Sequence, residues 1–191
     1  MSGKIYVVAG PSGVGKGTVI KRLFELDKNL SLSISATTRQ PREGEVDGVN
    51  YYFITYDRFQ EIIENGGFLE HAEYVGNFYG TPKQPVIDKA EEGFDVILEI
   101  EVQGAMQVLE NMPGAKGIFI LPPSFEELEK RLKGRGTETD ESVMRRLETA
   151  ANELGCINMF DYYVVNDTVE GAANRILEII ESRRGIEDDE E

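Results

Sequence analysis

Apolar residues in this chain recur at two alternating spacings. Ile5 to Ala9 is a continuous apolar run rich in β-branched residues, which reads as a buried strand. Beyond a glycine-rich stretch, Val19, Ile20, Leu23, Phe24 and Leu26 recur at helical spacing. Leu32 to Ser35 reads as a short second strand. The same succession returns further on, with a strand over Phe94 to Ile100, a helix over Val102 to Asn111 and a strand over Gly117 to Leu121. Ser124 with Glu127 three residues later is a capping box, so a helix opens there and runs to Leu132. The polar stretch Gly134 to Asp140 interrupts it, and helix resumes through Arg145, Arg146 and Leu147 to about Leu154. Tyr162 to Val165 is a last strand and Val169 to Ile180 a last helix. Strands alternating with helices predict an α/β fold with a mostly parallel sheet covered on both faces.

One segment breaks this rhythm. From Thr37 to Pro82, Gly, Pro, Tyr and Phe become frequent. Strand-like pieces at Tyr51 to Ile54 and Phe68 to Tyr74 flank a helical pattern from Tyr56 to Glu64. This predicts an inserted α+β subdomain with antiparallel strands, after which a helix from Lys83 to Glu92 returns to the main sheet. The expected organisation is one domain over 1–191, with a core of 1–36 and 83–191 and an insertion at 37–82.

Composition narrows the picture. The chain has 191 residues, 40% of them hydrophobic, enough for a core. Its single cysteine, Cys156, forms no internal disulfide, which suits a reducing compartment. The amino-terminal residues lack the apolar stretch of a signal peptide, and no segment approaches the roughly 20 apolar residues of a membrane span. A cytoplasmic protein with no membrane association is expected. Thirty-five acidic against 20 basic residues give a net charge of −15, a surface that repels nucleic acid. Any site for an anionic ligand must therefore gather the scarce arginines and lysines locally.

Gly10-Pro11-Ser12-Gly13-Val14-Gly15-Lys16-Gly17-Thr18 fits the P-loop pattern G-x-x-x-x-G-K, with a strand before it and a helix after it. Glycines let successive N–H groups turn inward toward phosphate oxygens, and the helix N-terminus favours anions. Lys16 adds a mobile positive charge for the β- and γ-phosphates. The position after Lys16 is commonly a Ser or Thr that touches Mg²⁺; here it is Gly17, with Thr18 next. The Lys-Gly-Thr ending resembles that of nucleotide monophosphate kinases, which implies Mg²⁺ with ATP, the metal held by nucleotide phosphates and water, as this ion readily allows.

Two further segments carry chemistry. Ser35-Ala36-Thr37-Thr38-Arg39-Gln40-Pro41-Arg42 sets two arginines three apart beside hydroxyls, a pattern for bidentate phosphate binding or for two solvated surface arginines. Gly67-Phe68-Leu69-Glu70-His71-Ala72-Glu73 and Gly76-Asn77-Phe78-Tyr79-Gly80-Thr81 follow. Together these motifs, in this order, resemble the guanylate kinase family over essentially the whole chain, from the P-loop to Asn166.

The resemblance implies a P-loop three-layer sandwich and a reaction of ATP with GMP to give ADP and GDP, within purine nucleotide metabolism and GMP recycling. It implies that Arg39, Arg42, Tyr51 and Tyr79 hold the GMP phosphate, while Ser35, Glu70 and Thr81 read the guanine. The chemistry agrees: an ionised Glu70 only accepts, guanine offers N1–H and a 2-amino group side by side, and adenine does not. His71, the only histidine, is expected beside the site and outside the chemistry. The resemblance further implies a lid over residues 134–147, with Arg131, Arg135 and Arg146 neutralising the transferring phosphoryl group alongside Lys16 and Arg39. Asn166 matches an adenine contact. Where the family has Asp-Ile-Asp, the first acid near the metal site and the second near guanine, this chain has Glu99-Ile100-Glu101, each acid one methylene longer, and the resemblance implies that both belong to the GMP site. Homo-oligomers are common in enzymes of this kind, but no interface is legible. Two alternatives stay open at this point: a monophosphate kinase for AMP, UMP or dTMP, and a non-catalytic phosphopeptide-binding domain.

Overall fold

The computed structural model describes residues 2–133 and 140–184. Nine strands and seven α-helices are formed among the described residues: β1 (Ile5–Ala9), α1 (Lys16–Leu26), β2 (Leu30–Leu32), β3 (Ala36–Thr37), β4 (Tyr52–Phe53), α2 (Tyr56–Glu64), β5 (Phe68–Tyr74), β6 (Asn77–Pro82), α3 (Lys83–Glu91), β7 (Asp95–Glu99), α4 (Val102–Asn111), β8 (Lys116–Leu121), α5 (Phe125–Lys133), α6 (Asp140–Leu154), β9 (Tyr162–Val165) and α7 (Val169–Arg184). No helix among them is long and apolar enough to cross a membrane.

The strands form two sheets. The larger has the order β2-β7-β1-β8-β9 and is parallel, as βαβ succession requires. Its central strands are buried apolar runs: Tyr6 to Ala9, Val96 to Leu98 and Ile118 to Ile120. A parallel strand buried on both faces has this continuous apolar character. The smaller sheet has the order β4-β3-β6-β5.

Two compact units can be distinguished, one of Met1–Val7 with Asn29–Lys116, the other of Val8–Lys28 with Gly117–Glu191. The first contains the whole smaller sheet, with α2 packed on it through an aromatic cluster. Phe59, fully buried on α2, stacks on Phe68 at 4.4 Å between ring centroids and lies 5.5 Å from Phe78. Helix α2 starts where its sequence directs, the Thr55 hydroxyl accepting from the Arg58 N–H. The second unit packs α5 on α6 through Leu128, Leu132, Val143, Leu147 and Ala150. The capping box at Ser124 forms, its hydroxyl accepting from the Glu127 N–H at 3.1 Å.

Four expectations shift. Strand β2 lies at Leu30–Leu32, because the chain leaves the sheet after Ser33 donates to the Ile97 carbonyl. The sequence pattern assigns no strand over Asn77 to Pro82, where Gly80 and Pro82 are poor strand formers, yet antiparallel pairing with β3 and β5 imposes the extended form. The smaller sheet is mixed, since the long connection from Thr38 to Tyr51 returns β4 parallel to β3. Helix α7 runs on to Arg184.

The β5–β6 hairpin turns through Val75 and Gly76, both with positive φ, 49° and 70°. This is the two-residue turn whose twist matches the flanking strands. Val75 is an unusual occupant, 79% exposed at the tip.

Candidate active site

The P-loop cluster is built in the second unit, largely from backbone. β1 delivers the chain to Gly10, and α1 begins at Lys16. Gly13 and Gly15 have φ of 87° and 91°, values that only glycine adopts freely. Space is as restrictive as angle. A Cβ at Gly13 would lie 2.6 Å from the Leu132 side chain, and one at Gly15 would lie 2.8 Å from the Asn166 amide. The first turn of α1 has no side-chain cap and no acidic residue. By contrast α2 is capped by Thr55 and carries Asp57 in its first turn. Donor groups and a positive dipole end are therefore left at α1 for an anion.

Three cations and an amide converge on this loop. Lys16 Nζ donates to the Gly10 carbonyl at 3.2 Å. Arg146 donates to the Ser12 hydroxyl at 2.8 Å. Arg131 donates to the carbonyls of Val14 and Asn166, each at 3.3 Å, and its Nε faces Glu127 at 3.3 Å. Asn166, buried at the end of β9, donates its amide to the Val14 carbonyl at 2.7 Å. So Arg131 and Asn166 brace the loop from the far side of the chain. Arg135 lies outside the described residues. Thr18 and Gly17 are exposed on the first turn of α1.

The second cluster is built in the first unit by side chains on one sheet face. Register explains why. A bulge between Phe68 and Glu70 re-aims the strand, so Glu70 stands opposite Thr81 and Ala72 opposite Tyr79. Thr37 stands opposite Tyr79 on the other side of β6, and Phe53 pairs with Thr37. Alternation then places Glu70, Thr81, Tyr79, Thr37 and Phe53 on a common face, with Ser35 and Tyr51 one period earlier. His71 falls on the opposite face, 6.1 Å from Phe68 and 6.5 Å from Phe59 between ring centroids. Its place is in the aromatic cluster under α2.

On the common face, the Thr81 hydroxyl donates to Glu70 Oε1 at 2.7 Å, a buried pair. Burial raises the Glu70 pKa above the ordinary carboxylate value, and the hydrogen bonds from Thr81 offset part of that rise. Tyr51 and Tyr79 meet edge to face at 6.1 Å. Burial raises the Tyr51 phenol, helped by neighbouring Tyr79, Glu45 and Glu99 against the pull of Arg39. The Arg39 guanidinium lies 5.5 Å from the centre of the Tyr51 ring and 5.7 Å from that of Phe53.

Glu45 holds this arrangement and was not among the expected site residues. Both its oxygens take the Arg39 guanidinium at 2.9 Å, and the Arg42 N–H donates to it at 2.7 Å. The bidentate pair with Arg39, and then the Arg42 N–H, hold the Glu45 carboxyl below the usual carboxylate range. Its sequence signal is faint: an acid six residues beyond Arg39 in a loop rich in Glu. Thr37 and Thr38 bracket the same loop, the Thr37 hydroxyl donating to the Phe78 carbonyl and the Thr38 hydroxyl accepting the Phe78 N–H, both at 2.9 Å. Arg42 itself is exposed. Glu99 ends β7, half-buried, and Glu101 is the exposed N-cap position of α4. Among the described residues no group of three or more His, Cys, Asp or Glu could hold a metal ion.

Comparison with known proteins identifies the family. The guanylate kinase family model matches residues 2–183. The chain is 50% identical over 179 residues to the guanylate kinase of Prochlorococcus marinus strain MIT 9312, covering 94% of this chain and 97% of that one. It is 52% identical over 178 residues to the guanylate kinase of Clostridium acetobutylicum, covering 93% and 85%. The crystal structure of guanylate kinase from Anaplasma phagocytophilum superposes with a TM-score of 0.75 at 37% identity, over 96% of this chain and 87% of that one. A family match over nearly the whole length and relatives sharing half its residues leave a single assignment: this chain belongs to the guanylate kinase family.

Proposed function

We propose that the P-loop cluster takes ATP and the sheet-face cluster takes GMP in the family's reaction, transfer of the γ-phosphoryl group from ATP to GMP. The observation that carries the residue assignment is the buried Glu70–Thr81 pair, a carboxylate and a hydroxyl aligned on one face. An ionised Glu70 accepts from guanine N1–H and the 2-amino group, and Thr81 offers a hydroxyl to the same base edge, with Ser35 one period along. A base that cannot donate there leaves a desolvated carboxylate unpaired.

Arg39, Arg42, Tyr51 and Tyr79 supply the donors for the GMP phosphate, with Glu45 aiming Arg39. Gly10 to Thr18 supply backbone donors for the ATP phosphates, and Lys16 bonds to the β- and γ-phosphoryl oxygens. Arg131 and Arg146 neutralise charge as the phosphoryl group moves; the family resemblance gives Arg135 the same role, and it lies, with residues 134–139 of the expected lid, outside the described residues. Asn166 holds Val14 and borders the adenine. Mg²⁺ arrives with ATP, and when bound it neutralises phosphate charge. Thr18 follows the usual metal-ligand position by one residue; among the described residues no group of three or more His, Cys, Asp or Glu could hold the ion, and nucleotide oxygens and water suit it.

The acceptor is already an anionic phosphate oxygen, so no strong general base is needed. That suits a chain whose one histidine faces the α2 side of its sheet. Catalysis then comes from alignment and charge neutralisation. Glu99 and Glu101 border the GMP site, one near Tyr51 and the other at the start of α4.

An assay coupled to ADP release, run with GMP, AMP, UMP and dTMP, tests this. GMP should exceed each of the others in kcat/KM by about 10²-fold or more. Comparable turnover of AMP would overturn the assignment of Glu70 and Thr81.

A further inference from the structure

Gly104 lies buried in the first turn of α4, and the Glu70 side chain rests on it. A Cβ at this position would come within 2.8 Å of Glu70 Oε2, 3.1 Å of Cδ and 3.4 Å of Cγ. The nearest atoms are all from that one side chain. Gly3 and Gly80 differ. A Cβ at Gly3 would strike the Phe94 backbone at 1.9 Å, and one at Gly80 would meet the Glu70 carbonyl at 2.9 Å. Those glycines let backbones approach. Gly104 makes room for a carboxylate.

Nor does the helix itself ask for glycine here. Gly104 has no positive φ, and alanine is the better helix former. Glu70 Oε1 is already held by Thr81 at 2.7 Å. A methyl group at Gly104 would push on Oε2, so the carboxylate must shift, and a shift changes its alignment with Thr81 while the backbone can stay in place.

We infer that Gly104 is a specificity-determining position: its missing side chain lets Glu70 hold the orientation that reads guanine. The inference rests on the proposed role of Glu70. Small displacements of a recognition group are costly to catalysis while leaving the fold intact.

The test is Gly104→Ala in the full chain. Its unfolding temperature should stay level or rise. The KM for GMP should increase about tenfold, kcat at saturating GMP should change by no more than about threefold, and the KM for ATP should hold. The preference for GMP over inosine monophosphate, which lacks the 2-amino group, should shrink. In a Glu70→Asp background the alanine should do less harm, since the shorter acid leaves room for the methyl. An unchanged GMP KM and base preference would overturn the inference. So would loss of cooperative unfolding, which would make the glycine a requirement of the fold. Glu70→Gln separates the two levels. If it raises the GMP KM and Gly104→Ala does not, only Gly104 is misassigned. If neither does, the role of Glu70 fails as well.

Discussion

The two clusters solve different problems with different materials. The P-loop is made of backbone N–H groups, a bare helix end and a lysine, and it is held in shape by Asn166 and Arg131 reaching the Val14 carbonyl. The sheet face is made of side chains: a buried carboxylate against a hydroxyl, two tyrosines edge to face, and an arginine fixed by Glu45. Phosphate is the same in every nucleotide, so repeated backbone donors suffice to bind it. A base is recognised by where its donors and acceptors lie, so only particular side chains at fixed positions can discriminate. The contrast teaches that generic affinity can be written in glycine conformation, whereas identity must be written in side-chain register.

If this division is right, removing one cluster's key group should leave the other's substrate untouched. Lys16→Met should have the largest effect, lowering kcat by about 10²- to 10³-fold with little change in the KM for GMP. Steady-state kinetics with GMP varied at fixed ATP would show it, and a large rise in GMP KM would break the comparison. Arg39→Ala should raise the GMP KM about 10²-fold and leave ATP binding nearly intact. Glu45→Gln should do the same more weakly, and add nothing once Arg39 is gone, which a double-mutant cycle would measure. Asn166→Ala leaves a buried carbonyl short of a donor. It should cost about 1–3 kcal/mol of stability by denaturant titration, together with a several-fold rise in the KM for ATP.

A smaller effect concerns pH. Glu70 must be ionised to accept from guanine, yet burial raises its pKa. The KM for GMP should therefore climb on acidification from a pH above the ordinary carboxylate range, and this limb should vanish in Glu70→Gln. Stability moves the opposite way. A folded-state pKa above the unfolded one means that the carboxyl's contribution is fully present below the unfolded pKa. It is lost as pH rises through the folded value. Acid that weakens recognition should thus favour this part of the fold.

The division also decides what the sequence makes legible. The P-loop is local, so spacing alone reveals it, and the helix bounds at Tyr56–Glu64 and the cap at Ser124 follow from nearby residues. Its braces are not local: Asn166 meets Val14 across 152 positions, and no short pattern reports that bond. On the sheet face, Glu70 and Thr81 stand out only through resemblance. Their pairing depends on a bulge and on β6, a strand whose glycine and proline are poor strand formers. Glu45 and Gly104 escape notice for the same reason, since each acts through a partner that only the folded register supplies.

The hairpin that carries Glu70 and Thr81 turns at its far end through Val75, a β-branched residue in the left-handed region. Such a residue is strained there, and asparagine is favoured at that place in a two-residue turn. Val75→Asn should raise the denaturation midpoint by the equivalent of about 1 kcal/mol and leave both KM values alone. The tip is therefore an unspent reserve. The chain could be made more robust there, and then tolerate harsher remodelling of its base-reading residues, without any change to the chemistry it performs.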